Sequence, residues 1–243
     1  MRQVQMSIIS KNKMHIAFSF LLVGLLFLTS CSSLGSTRGT VGSSELKGKI
    51  KDGRYFSPNG NFPCAIPPLA EPGAIIQDSS NKTEDGYVGT VKFGDDFGKL
   101  FRVDWAEVPP DISQQLGKPL YDQAMLEGIL ISQMQNFHQV YPQTTVEARE
   151  MMGEKTNLLL FADVRIPRGT TFIQDGQHLD CSRGLFIFKQ NHWVYTISIQ
   201  DACVDSVDLV AIDSFHPSKP TVEERKADLK PRLEKFLEGF EFK

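Results

Sequence analysis

Apolar and polar positions change period several times along this chain. Residues 54–68, RYFSPNGNFPCAIPP, give two short strand-like pieces around a Pro58-Asn59-Gly60 turn signal. The stretch from 69 to 86 passes through Pro72, Gly73 and a polar run, DSSNKTEDG, and reads as a loop. Residues 86–109 then read as a hairpin. Val88, Thr90 and Lys92 alternate with Gly89, Val91 and Phe93, and Gly94-Asp95-Asp96-Phe97-Gly98 supplies the turn. In the returning arm Phe101, Val103 and Trp105 share the face opposite Arg102 and Asp104.

After Pro119 the period lengthens. Leu126, Leu130, Met134, Phe137 and Tyr141 recur every three to four residues, which predicts an amphipathic helix of about 20 residues ending before Pro142. A Met and aromatic stripe at this spacing is read as core. Strand signals return at 157–167 and 185–189, and Gln190-Asn191 is expected to turn the chain into a strand at 193–199. Thr221-Val222-Glu223-Glu224 has the form of a capping box, and Leu229, Leu233, Phe236 and Phe240 make a second helical stripe. Pro231 lies inside that stripe and predicts a kink or two abutting helices. Because most strand pairs look like hairpins, the fold class expected is α+β: a mainly antiparallel sheet packed with a long central helix and a C-terminal helix.

That order is similar to the Mog1/PsbP-like fold, an α/β/α sandwich. PsbP-type proteins also begin with a strand of the type Tyr-x-x-x-x-x-x-Phe-x-x-x-x-Pro, to which Tyr55, Phe62 and Pro67 correspond. They end, as this chain does at 185–199 and 229–242, with a hairpin followed by a helix. The resemblance spans most of residues 50–242 and is carried by topology and sparse hydrophobic landmarks, with no catalytic motif. It implies a noncatalytic binding or assembly role, and implies it only as a prior, because one fold hosts many functions.

The N-terminal pattern is of a different kind. Arg2, Lys11 and Lys13 precede an uncharged run from Ile16 to Thr29, with no acidic residue before it. This is the form of a signal-peptide h-region, too short to span a ~30 Å hydrocarbon core comfortably. Leu28-Thr29-Ser30-Cys31 follows in place of an A-x-A cleavage site, and it resembles the bacterial lipobox. The resemblance implies cleavage between Ser30 and Cys31, with diacylglyceryl and fatty acyl groups (palmitate among them) on Cys31. Stable membrane attachment needs two or more acyl chains, which such a cysteine would carry. Ser32, where an Asp would favour the inner membrane in Gram-negative lipoproteins, tilts the address toward an outer membrane, facing the periplasm.

The domain division that follows is a signal peptide over 1–30, a lipidated cysteine and flexible Ser/Gly tether over 31–46, and one globular domain over 47–243. Residues 1–30 hold three basic and no acidic side chains, so the remainder has 23 basic against 29 acidic residues, a net charge of −6. A mildly acidic exported chain with no basic cluster is a poor nucleic-acid binder and is not drawn to anionic lipid by charge. The tether's r.m.s. span is ~20 Å.

Candidate chemistry is sparse. Of Cys64, Cys181 and Cys203, two are expected to pair in an oxidising periplasm. Cys181 and Cys203 flank the 185–199 hairpin, although a Gln190-Asn191 turn would set Gln200, not Cys203, opposite Cys181. A bridge closing that end would contribute ~3 kcal/mol in the chain-entropy model. His178, Asp180, Cys181 and His192 match no zinc spacing, and Asp95-Asp96 lacks the EF-hand alternation, so no metal and no cofactor is expected. Ser214 and His216 are the only close Ser and His pair, without a Gly-x-Ser-x-Gly elbow. No Walker A loop or dinucleotide fingerprint occurs, so an enzyme is not expected. The reading is a membrane-anchored, noncatalytic envelope lipoprotein that holds a protein partner. Its rivals are a periplasmic carrier of a small or lipidic ligand, with a pocket between the sheet and the 120–141 helix, and a hydrolase built on Ser214 and His216.

Overall fold

The computed structural model describes residues 46–67, 75–94, 100–113, 116–154, 157–169, 173–174, 177–178, 180–203 and 222–243. The signal and tether positions, Ser30 and Cys31 among them, lie outside these residues, as do Asp95, Asp96, Ser214, His216 and Thr221.

Three short strands open the described chain: β1 (Lys49–Lys51), β2 (Arg54–Phe56) and β3 (Pro63–Ala65), which form a small antiparallel sheet. The predicted turn between β2 and β3 is present: Gly60 donates its N–H to the Ser57 carbonyl at 3.0 Å. Seven further strands build the main sheet in the order β4-β5-β6-β12-β11-β8-β7, every neighbour antiparallel. They are β4 (Ile75–Thr83), β5 (Gly86–Gly94), β6 (Leu100–Glu107), β7 (Thr145–Met152), β8 (Leu159–Ile166), β11 (Asp180–Gln190) and β12 (Trp193–Cys203). A two-residue pair, β9 (Ile173–Gln174) with β10 (Gln177–His178), lies apart. A single helical turn, α1 (Pro110–Ser113), precedes the long helix α2 (Pro119–Val140), and α3 (Val222–Leu237) follows the last strand. The fold is α+β with a mostly antiparallel sheet, as the pattern predicts.

Both faces of the sheet are covered, which is why its central strands carry apolar residues at odd and even positions alike. Under α2 lies a cluster with Met125, Leu126, Ile129, Leu130, Leu160, Ile166, Leu185 and Ile187. The other face packs α3 and the small sheet through a largely aromatic cluster, including Tyr55, Phe62, Phe93, Trp105, Phe186, Tyr195 and Phe236. Tyr55 and Phe62, two of the three PsbP-type landmarks, are fully buried there. Gly184 lets α3 approach closely: a Cβ on it would stand 3.0 Å from Leu233 and 3.1 Å from Leu229.

Several local expectations are corrected. Residues 75–83 are not a loop but the edge strand β4, paired with β5 from Ile75↔Gly94 to Thr83↔Gly86. Its inward Asp78 is fixed by polar partners, accepting Lys47 N–H at 2.8 Å, Gly48 N–H at 2.6 Å and Tyr55 O–H at 2.8 Å. The turn between β11 and β12 is Asn191-His192, one residue later than predicted, with Asn191 at φ 56°. Helix α3 runs unbroken through Pro231. Leu229 and Leu233, buried on either side of the proline, hold both turns on the sheet. Lys230 with Glu150 and Arg232 with Asp201 pin the flanks. Phe240 belongs to no helical stripe. It lies past α3 in a bridge with Cys64, where Glu241 N–H donates to the Pro63 carbonyl at 3.1 Å and Lys243 N–H to Asn61 at 3.0 Å. The tail thus joins the small sheet beside β3.

Candidate functional site

An apolar groove of about 500 Å³ opens between α2 and β7. Helix α2 starts at Pro119, whose missing N–H costs nothing in the first turn, and the Asp122 carboxylate accepts the Gly117 N–H at 3.1 Å. The helix ends before Pro142, with Tyr141 N–H donating to the Phe137 carbonyl at 2.6 Å. Leu130, Ile131, Met134 and His138 face the groove from the helix, and Val146 and Arg149 from the strand. Ile131 is 58 % exposed and Val146 37 %, so the groove presents apolar surface to solvent. His138 is held by a 2.8 Å contact between Nε2 and the Thr144 carbonyl.

Strand β7 is the last in the sheet order, so one row of its backbone groups faces away from β8. Its pairing shifts between Val146 and Ala148, a bulge that leaves 149–152 as the regular part of the edge. The opposite edge differs: Asp78 of β4 already binds the backbone of Lys47 and Gly48.

A second, polar opening of about 540 Å³ lies on the other face, between the small sheet and the ends of β4, β5, β6 and β12. It is lined by Lys47, Asn59, Ser80, Tyr87, Glu107 and Trp193. The third polar feature is buried outright. On the α2 face of β6, Arg102 Nε donates to both carboxylate oxygens of Asp104, at 2.9 and 2.8 Å. Gln133 of α2 donates to Thr196 at 3.0 Å, and Arg183 bonds Gln200 while its guanidinium lies 4.9 Å from the Phe137 ring. The Gln133 and Arg183 contacts fix the helix on the sheet, and the Arg102–Asp104 pair is buried within β6.

The two thiols among the described residues, Cys64 and Cys181, are both buried. Cys64 is fully buried, and burial pushes its pKa up to about 12 against a lowering influence from Arg54. A thiolate there is inaccessible and disfavoured. Cys181 is also fully buried, under α2. The ladder sets Cys181 opposite Ala202 and Cys203 opposite Asp180. The two cysteine positions are therefore neighbours on opposite faces of the sheet, which corrects the register assumed for a bridge; the Cys203 side chain is outside the described residues. Burial likewise raises the Tyr55 phenol, aided by its hydrogen bond to Asp78, and raises Tyr195. His192 is exposed beside Trp193, while the side chain of His178 is not described. Among the described residues no group of three His, Cys, Asp or Glu side chains converges on one point.

Neither opening is visible in the sequence as a motif. The groove joins a helix to a strand that no clean alternation marked, and the polar opening joins side chains up to 146 positions apart.

No protein-family model and no curated protein sequence matches the chain. Among solved structures, the cyanobacterial PsbP (CyanoP) of Synechocystis sp. PCC 6803 is similar over 86 % of this chain and 99 % of its own, at 16 % identity and a TM-score of 0.43. A Pseudomonas aeruginosa protein of unknown function is similar over 63 % of this chain and 90 % of its own, at 12 % identity and a TM-score of 0.29.

Proposed function

We propose that this protein is a lipoprotein of the bacterial cell envelope, anchored through acylated Cys31, whose PsbP-like domain holds a segment of a protein partner as a noncatalytic accessory or assembly factor. The anchor rests on the sequence Leu28-Thr29-Ser30-Cys31 after an uncharged run. The observation that carries the binding role is the apolar groove beside the terminal strand β7. An extended apolar segment fits it best. Backbone pairing along 149–152 would supply affinity, and side chains at alternate positions would reach Ile131, Met134 and Val146.

Site-specific photocrosslinkers at Ile131 and Val146, with Lys189 as a control, test the reading in intact envelopes. A protein adduct that recurs at the first two positions and is missing at the control supports it. Recovery of no protein, or the same products from all three, overturns it. Cys31→Ser should move the protein from the membrane to the soluble fraction, and an unchanged membrane partition removes the anchor. A carrier of lipidic ligand is the second reading, favoured by the groove's place between the sheet and α2; lipid, rather than protein, captured at Ile131 would decide for it.

A further inference from the structure

The polar opening on the α3 face has the makings of a small-molecule site separate from the α2/β7 groove. We infer that it binds a neutral saccharide unit.

Its floor is a cross-strand row. Glu107 of β6 pairs with Trp193 of β12, and Tyr87 of β5, next to the Val88↔Ala106 pair, approaches the Glu107 carboxylate from the other side. Adjacent strands lie ~4.8 Å apart, so the row is ~10 Å long, the length of one to two pyranose rings. Glu107 is fixed from one side: its Oε2 accepts the Tyr87 N–H at 3.1 Å, leaving Oε1 to accept from a ligand. Tyr87 is half-buried, with the Lys82 ammonium 5.5 Å from its ring centroid. Trp193, 5 % exposed, offers an edge. Together the two rings give the site an apolar floor flanked by a carboxylate.

The wall is polar and equally constrained. Asn59 Oδ1 accepts from Ser80 Oγ at 3.0 Å and from Trp105 Nε1 at 3.3 Å. Both bonds fall on the oxygen, so the Asn59 amide nitrogen keeps its two hydrogens for another acceptor. Lys47, exposed, lines the rim of the opening.

Charge decides the ligand class. With the Lys82 ammonium taken up on the Tyr87 ring, Glu107 opposes an anion such as phosphate and Lys47 opposes a cation, so the opening favours a molecule with no net charge. What remains is a mixed set of fixed donors and acceptors around aromatic surface. Hydroxyl groups match such a set at the rim, and the apolar C–H face of a sugar ring matches its floor.

Ligand-observed saturation-transfer NMR on the full-length protein, in a polyoxyethylene detergent free of sugar, tests this with methyl N-acetylglucosaminide as the probe. A saturable response with Kd near ~1 mM is expected. Lys47→Gln changes an exposed side chain, and Asn59→Asp keeps the oxygen that holds Trp105 and Ser80 while removing the amide donor. Each should weaken binding at least ~5-fold, with Ile131→Ser unchanged. No saturable response up to ~10 mM overturns the proposal, as does equal binding by the wild-type and both variants. A response to phenylalanine with none to the glycoside would assign the opening to zwitterions and overturn it equally.

Discussion

Gly89→Ala should destabilise the protein although both residues are small and the position lies in a strand. Gly89 stands directly across from Trp105 in the β5–β6 ladder, and the indole lies over it. A Cβ at Gly89 would be 2.1 Å from Cζ2 of Trp105 and 2.3 Å from Cε2. The ring cannot simply lift. Trp105 is fully buried, its centroid is 5.2 Å from that of Phe62, and its Nε1–H donates to Asn59 at 3.3 Å. Overpacking in such a setting costs ~1–3 kcal/mol. Losing the indole hydrogen bond would add ~1 kcal/mol, while the reduced freedom of the unfolded chain returns ~0.4–1 kcal/mol. A net loss of ~1–3 kcal/mol is expected, a large share of a domain's stability. Urea denaturation followed by far-UV circular dichroism measures it. The same substitution in a Trp105→Phe background should cost clearly less, because the smaller ring retreats from the glycine. An unchanged stability, or an equal cost in both backgrounds, would refute the packing argument.

Asp163 is fully buried on the α3 face of β8, and burial raises its pKa from 3.8 to about 6. The native state then holds a proton that the unfolded state has released, so this group's contribution to stability falls as pH rises from about 4 to about 6 and is flat above. Two pH units of difference set a ceiling of ~3 kcal/mol. Asp163→Asn should flatten that part of the stability–pH curve, as read by urea midpoints at pH 4, 5, 6 and 7 (the assay values), and an unaltered slope counts against the assignment. Peptide mapping without reductant, after alkylation in denaturant, should yield no Cys181–Cys203 peptide, because the ladder sets Cys181 opposite Ala202; recovery of that peptide would mean that the open end of this hairpin rearranges.

How far the sequence could be read depended on which physical signal each segment carried. Strands β5, β6, β8, β11 and β12 and helix α2 announced themselves because their apolar positions face dense packing, as Trp105, Phe186, Tyr195 and Leu126 do. Strand β4 did not. Its inward Asp78 is satisfied by hydrogen bonds from Lys47, Gly48 and Tyr55, so burial there left no hydrophobic period. In β7 the bulge between Val146 and Ala148 moves the later residues by one and breaks the alternation. Phe240 fell in helical spacing with Phe236 by coincidence, and only the bridge to Cys64 shows that it serves the small sheet. The one-residue slip at Asn191-His192 arose because three polar residues, Gln190 to His192, offer two equally good turns. The groove lies between the sheet and the long helix, where the carrier reading places a pocket, whereas the polar opening was illegible because its lining comes from segments that the fold, not the sequence, brings together.

The two ends of the sheet bear on how such a domain would work from a membrane. The described chain begins beside β4, where Asp78 binds the Lys47 and Gly48 amides, and the apolar groove lies at β7, the other end of a seven-stranded order. Six steps of ~4.8 Å separate those edges by ~29 Å. On the proposed anchoring, the segment from Cys31 to Leu46 adds a leash of ~20 Å at the β4 side. The groove would therefore be carried on the side of the domain away from its attachment point, while the opening that includes Lys47 would stay near the base. A partner held at β7 would then be one whose segment projects some distance from the membrane rather than one lying in the headgroup layer. Shortening the tether by ten residues should bring β7 nearer to the membrane and reduce the recovery of adducts from Val146, with membrane partition unchanged. Adduct yield that ignores tether length would mean the partner is freely diffusing, and that the separation of groove and anchor has no part in its capture.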